Sequence, residues 1–189
     1  MSRRRERAAI LAIAAGLALG GCGGSDSRGS QSKTPNYAAA LRGAPPALAA
    51  LYRQGDKLLD GGTDAFQKRI QTLHGHPVVV NNWASWCGPC IVEFPFFQQE
   101  VAKQGTKVAF LGVNSNDSEA AAKTFLSDHP VPYPSFSDPS WDISDQEVSG
   151  IRVLPKTAFY DSSGNRVYLH TGQYQSEADL AADIKRYTQ

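Results

Sequence analysis

Cysteine is scarce in this chain: its 189 residues include three, an odd number that leaves one thiol over wherever disulfides form. Two of them, Cys87 and Cys90, are close together, yet neither a second Cys-x-x-Cys nor a His-x-x-x-His spacing accompanies them. The four histidines, His74, His76, His129 and His170, are scattered, which leaves a structural zinc site without its other two ligands. Charge excess is lacking too. With 19 basic and 18 acidic side chains the formal net charge is +1, so there is no electrostatic footprint for nucleic acid. The most apolar run, residues 8–19, falls short of the roughly 20 residues that a membrane-spanning helix needs. No internal repeat is present. What remains is the length and composition of one globular domain with some extra at the front.

The extra has a recognisable order. Residues 3–7, Arg-Arg-Arg-Glu-Arg, form a positive segment ahead of the apolar run, and Leu19-Gly20-Gly21-Cys22 follows it. This resembles a bacterial lipobox, in which the signal is cut before the cysteine and that cysteine receives lipid. Lipidation of Cys22 accounts for the odd thiol and leaves Cys87 and Cys90 as a single pair. Loss of residues 1–21 removes four arginines and one glutamate, which turns the net charge to −2 and leaves no polybasic membrane patch. Residues 22–36, rich in Gly and Ser, read as the lipidated cysteine and a flexible tether that cannot bury enough apolar surface to fold. Residues 37–62 form a lead-in, with 38–59 open between a helix and an irregular segment holding a short strand.

From residue 63 to 189 helical and strand patterns alternate. Helices are expected over 64–73, from the cysteine pair to about 103, over 118–128, near 141–148 and over 177–187, the last opened by a capping box of Ser176 and Asp179. Strands are expected over 77–83 and 107–114, and a hairpin over 157–160 and 166–170, with a proline-rich connection over 130–139. Such alternation predicts an α/β domain, a central mixed sheet with helices on both faces.

A Cys-x-x-Cys at the start of a helix has a physical logic. Unpaired backbone N–H groups and the helix dipole favour thiolate over thiol at the first cysteine, here Cys87. A purely structural disulfide is weakly motivated, because so small a loop constrains the unfolded chain least. Redox exchange and a copper- or haem-handling thiol module remain.

The flanks carry a resemblance. Val78-Val79-Val80-Asn81-Asn82-Trp83-Ala84-Ser85-Trp86-Cys87-Gly88-Pro89-Cys90, with Pro95 beyond it, resembles the active-site segment of the thioredoxin superfamily. Gly150-Ile151-Arg152-Val153-Leu154-Pro155-Lys156-Thr157 resembles its second signature. Cys-x-x-Cys-x-x-Glu-Phe-Pro, ending here in Glu93-Phe94-Pro95, is similar to the membrane-anchored TlpA/ResA-like branch, as is the helix-containing insertion over 117–148.

The resemblance implies a thioredoxin fold over 63–189 and a cis bond before Pro155. It implies Cys87 as an exposed nucleophile, Cys90 as the resolving thiol and Glu93 as its proton acceptor, since Asn81 stands where thioredoxin has a buried aspartate. Trp86, Leu154 and Pro155 are the implied substrate-binding residues, and neither cofactor nor metal is called for. The partners implied are exported protein thiols or disulfides and an upstream membrane electron donor or acceptor. The Gly-Pro dipeptide resembles that of reducing thioredoxins, and the branch commonly serves cytochrome c maturation. A disulfide-forming oxidase is the alternative, and a copper or haem carrier another. The peroxiredoxin pattern would need Pro at 80 and Thr or Ser at 84, where the chain has Val80 and Ala84. The family's Gly-x-x-Ala-Pro-x-Phe opening, which precedes an N-terminal hairpin, is missing from the lead-in.

If the lipobox reading holds, Cys22→Ser abolishes lipid attachment and leaves a folded, redox-active domain in the soluble fraction. Mass spectrometry of the N-terminus and fractionation check it, and wild-type protein recovered with an unmodified Cys22 would contradict it.

Overall fold

The computed structural model describes residues 34–188; the expected signal segment, Cys22 and nearly all of the tether lie outside the described residues. Two short helices open the described chain, α1 (Tyr37–Ala40) and α2 (Pro46–Tyr52), followed by a two-residue strand β1 (Leu58–Leu59) and helix α3 (Gly62–Thr72). Next come β2 (Val78–Trp83), α4 (Gly88–Gln104), β3 (Ala109–Ser115), α5 (Glu119–Asp128) and β4 (Ser135–Asp138). A π-helical turn, Ser144–Val148, leads to β5 (Lys156–Tyr160), β6 (Arg166–Thr171) and α6 (Glu177–Tyr187).

The six strands form one mixed sheet in the order β1-β4-β3-β2-β5-β6. β2 runs parallel to β3 and antiparallel to β5, and all six of its residues are buried, so both of its faces must be covered. Alternation along the strands sorts their side chains into two cores. Val79, Trp83, Phe110 and Phe159 join Phe94 and Phe97 of α4 and Leu180 and Ile184 of α6. Val78, Val80, Leu111 and Ala158 join Leu48 and Leu51 of α2 and Phe66 and Ile70 of α3. The adjacent Asn81 and Asn82 consequently point to opposite faces, because side chains alternate along a strand.

The helices begin where local chemistry allows. Ser118 caps α5 by accepting the Ala121 N–H at 3.2 Å, and Ser176 caps α6 by accepting the Asp179 N–H at 3.2 Å while its hydroxyl donates to the Asp179 carboxylate at 2.7 Å.

One feature departs from the sequence reading, and one open point is resolved. The proline-rich connection contains a strand: β4 pairs in parallel with β3 on one side and β1 on the other. Its Ser-Phe-Ser-Asp sequence carries one large apolar residue, and Pro130, Pro132, Pro134 and Pro139 surround it, so local preference does not announce it. Pairing and one polar contact hold it instead, the buried Trp83 Nε1 donating to Ser135 Oγ at 3.1 Å. The lead-in, for its part, supplies both of the elements left open for it, with α2 helical and β1 at the sheet edge.

Gly112 of β3 permits that close approach. A Cβ there would overlap the Ser135 hydroxyl and lie 2.9 Å from Ser135 Cβ and 3.0 Å from Trp83 Nε1. Gly112→Ala should therefore destabilise the domain by about 1–3 kcal/mol through overpacking, measured as a lower urea midpoint at unchanged slope.

Candidate active site

Cys87 is the N-cap of α4, and its sulfur accepts the Cys90 N–H at 3.2 Å. The two cysteines are joined in a disulfide with their Cα atoms 5.3 Å apart. Cys87 was expected to be exposed, and this is corrected: it keeps 4% of its surface and Cys90 none. The cause is the apolar cluster of Trp83, Ala84 and Phe94 into which both cysteines pack. The ordering of the two sulfurs still favours approach to Cys87. The side chain that does face solvent is Trp86, 58% exposed.

The turn before the disulfide is held by a residue that sequence reading overlooked. Asp117 accepts from the Ser85 N–H at 2.6 Å, the Ser85 hydroxyl at 2.9 Å and Asn114 Nδ2 at 3.0 Å. Beside it Asn116, with φ of 52°, accepts the Trp86 indole N–H on its carbonyl at 2.8 Å. The Asn-Asp-Ser run after a buried strand is a turn signature that marks such a site, although its target could not be read locally.

Glu93 lies one helical turn beyond Cys90, on the same face, and is completely buried. Its Oε2 accepts the backbone N–H of Tyr174 at 3.0 Å, and its Oε1 has no partner among the described residues. Burial pushes its pKa up to about 8, against the opposing pull of the Tyr174 hydrogen bond. Asn81, opposed to Thr157 across β2 and β5, lies beside the Tyr133 hydroxyl, and all three residues are buried. Glu93 is thus the ionisable side chain in a mostly neutral polar cluster on the α4 side of the sheet.

The Leu154–Pro155 peptide bond is cis, and neither backbone group of Leu154 has a partner among the described residues. Leu154 packs at the edge of the apolar cluster that holds the cysteines. Together with Trp86, the exposed Ile91, Val92, Ile151 and Val153 surround the site with apolar surface. The arrangement has what thiol exchange requires: a sulfur at a helix N-terminus, a second sulfur shielded behind it, a carboxyl with a pKa near neutrality and unpaired backbone groups at Leu154.

Comparison with known proteins gives a matching picture. The Redoxin family model matches residues 44–184. Over 106 residues the chain is 30% identical to the thiol-disulfide oxidoreductase ResA of Halalkalibacterium halodurans, covering 54% of this chain and 58% of that protein. Over 97 residues it is 35% identical to the thiol:disulfide interchange protein DsbE of Pseudomonas fluorescens biotype C, covering 49% of each. The chain therefore spans about half the length of these curated relatives. The solved structure of MTB dsbF in its mixed oxidized and reduced forms superposes with a TM-score of 0.56 at 28% identity, over 62% of this chain and 85% of that one.

The raised pKa of Glu93 has a thermodynamic signature. Between the ordinary value of 4.5 and about 8 the folded chain holds a proton that the unfolded chain has released, so this group's stabilisation, complete below pH 4.5, is lost as pH rises through 8. Its contribution falls by up to roughly 1.4 kcal/mol per pH unit in that window. Glu93→Gln should remove this slope, so that the variant gains on wild type between pH 5 and 8 in denaturant titrations. Parallel stability profiles would show that Glu93 ionises normally.

Proposed function

Because the chain belongs to the Redoxin family, we propose that it is an extracytoplasmic thiol-disulfide oxidoreductase that reduces exported proteins, with Cys87 and Cys90 as its redox pair. The observation that carries this reading is the buried disulfide at the start of α4 with the buried carboxylate of Glu93 one turn further on. In the reducing direction the Cys87 thiolate attacks a substrate disulfide, forms a mixed disulfide and releases one substrate thiolate. The Cys90 thiol then passes its proton to Glu93 and attacks Cys87 Sγ. This closes the Cys87–Cys90 disulfide and expels the second substrate thiolate, so the substrate gains two electrons and the pair loses them. A shielded thiol cannot shed its proton to bulk water, and a carboxyl with a pKa of about 8 accepts and returns one near neutrality.

Substrate is held by strand addition. The unpaired backbone groups of Leu154, next to Pro155, would bond an extended substrate segment and align its sulfur with Cys87, while Trp86 packs against its side chains. Reduction in the service of cytochrome c maturation is the finer reading, supported by the Gly88-Pro89 dipeptide and the likeness to ResA. The location is inferred from residues 1–22, with Cys22 as the lipid anchor and an upstream membrane donor restoring the thiols.

Cys90→Ala removes the resolving thiol but leaves Cys87 able to attack. Expressed in cells, this variant should accumulate disulfide-linked adducts that disappear on treatment with reductant, and Cys87→Ala should accumulate none. Absence of adducts from Cys90→Ala, with the domain folded, would overturn the assignment.

A further inference from the structure

Lys156 follows the cis proline directly and is buried completely, an unusual place for an ammonium group. It belongs to the face of the sheet opposite Glu93, where β5 sets it across from Asn82 of β2. Its Nζ has three acceptors, which match its three protons: Ser144 Oγ at 2.9 Å, Ser149 Oγ at 3.0 Å and the Ile151 carbonyl. Two of them lie on the segment 149–155 that carries Leu154 and Pro155, and the third lies on the π-helical turn just before it.

The bonds continue inward with one polarity. The Ser144 hydroxyl donates to Asn82 Oδ1 at 2.9 Å, Asn82 Nδ2 donates to Ser115 Oγ at 2.7 Å, and Ser115 donates to Asp138 Oδ2 at 2.7 Å. Asp138 also accepts the Ile143 and Ser144 N–H groups, each at 3.0 Å. Every member of this chain is at least 98% buried. A buried cation at one end and a buried carboxylate at the other are thus connected through two hydroxyls and an amide, all bonded in a single direction. Such a network is costly if broken at any point, because each remaining polar group would be left unpaired away from water.

We propose that Lys156 is a positioning residue that fastens the substrate-docking segment 149–155 to the sheet through this relay, so that its protonation governs how well that segment receives a polypeptide. The inference rests on the reading of Leu154 and Pro155 as the docking strand. An ammonium donates to all three acceptors, whereas a neutral amine has two protons and a lone pair, so deprotonation ends one of the three donations that hold the segment. Burial brings the Lys156 pKa down to about 8, partly offset by Asp145 and Asp138. Of the charged groups around it, Asp138 stands at the end of β4 and Asp145 on the π-helical turn, where it pairs with Arg152 at 2.8 Å. Asp142 lies close to Asp138 and Arg152. β2 presents Asn82, β6 presents Thr171, and the Trp141 ring lies 5.6 Å from Nζ.

The test compares two oxidants of the reduced protein: a synthetic peptide disulfide flanked by aliphatic residues, which can dock as a strand, and glutathione disulfide, which is too short to do so. Their second-order rates are measured from pH 6 to 9.5 and expressed as a ratio, in which the ionisations of Cys87 and Glu93 cancel. In wild type the ratio should favour the peptide and fall above pH 8. In Lys156→Met it should be lower by about tenfold at pH 7, the effect of losing a hydrogen bond to a charged group, and flat with pH. Ser149→Ala, which leaves the buried charge in place with two acceptors that a neutral amine can still fill, should lower the ratio severalfold at pH 7 and flatten its fall above pH 8, and with the wild-type profile it decides the matter if Lys156→Met does not fold. A peptide preference in wild type that does not vary with pH and survives either substitution would overturn the role of Lys156 alone. No peptide preference in wild type at any pH would overturn the docking strand, and the inference with it.

Discussion

Antiparallel pairing of β2 with β5 is the constraint on which the site depends. β2 delivers the chain to Cys87 at its end, β5 begins immediately after the cis bond at Pro155, and their register sets Asn82 against Lys156 and Asn81 against Thr157. Two segments separated by more than sixty residues therefore meet at one end of the sheet. A register slip of one residue would exchange the two faces, sending Asn81 toward α3 and Lys156 toward the cysteines. The Val78-Val79-Val80 run is alike on both faces and does not itself oppose such a slip; Asn82 and Trp83 do, since each is bonded to partners on one face, Asn82 to Val113 and Ser115 and Trp83 to Ser135.

The two faces of this strand pair have separate chemical tasks. Toward α4 the buried polar groups are mostly neutral, Glu93 and Glu100 being the carboxylates, and desolvation is what raises the pKa of Glu93 beside the disulfide. Toward α3 a cation and a carboxylate are buried together, and the hydrogen-bonded chain between them stiffens the loop outside. Burial of a charge is unfavourable in both places, and in both the fold offsets it with a specific geometry: one backbone N–H for Glu93, a full set of acceptors for Lys156.

Elements whose own residues carry the pattern were legible in the sequence. The strand into Cys-x-x-Cys, the helix after it, the terminal hairpin and the α6 boundaries all follow from periodicity and caps, and the two motifs identify the fold. β4 was not legible, since its four residues are strand by virtue of their neighbours. The same is true of Asp117, whose partner Ser85 lies 32 residues away, and of Tyr174, which meets Glu93 through a backbone N–H that no side-chain pattern reports. Lys156 was hidden for a further reason: a lysine at a strand end reads as solvent-facing, and only the pairing partner reveals what surrounds it.

The complete burial of Cys90 behind a nearly buried Cys87 also governs the chain's fate under oxidative stress. A hydroperoxide that reaches the reduced site meets Cys87 first and converts it to a sulfenic acid. Cys90, three residues away and close enough to have formed the observed bond, displaces water from that sulfur and restores the disulfide. The irreversible sulfinic and sulfonic stages are thereby pre-empted at Cys87, and Cys90 is out of the oxidant's reach. The product of that oxidation is then the same Cys87–Cys90 disulfide that the structure holds, with no new lesion to remove.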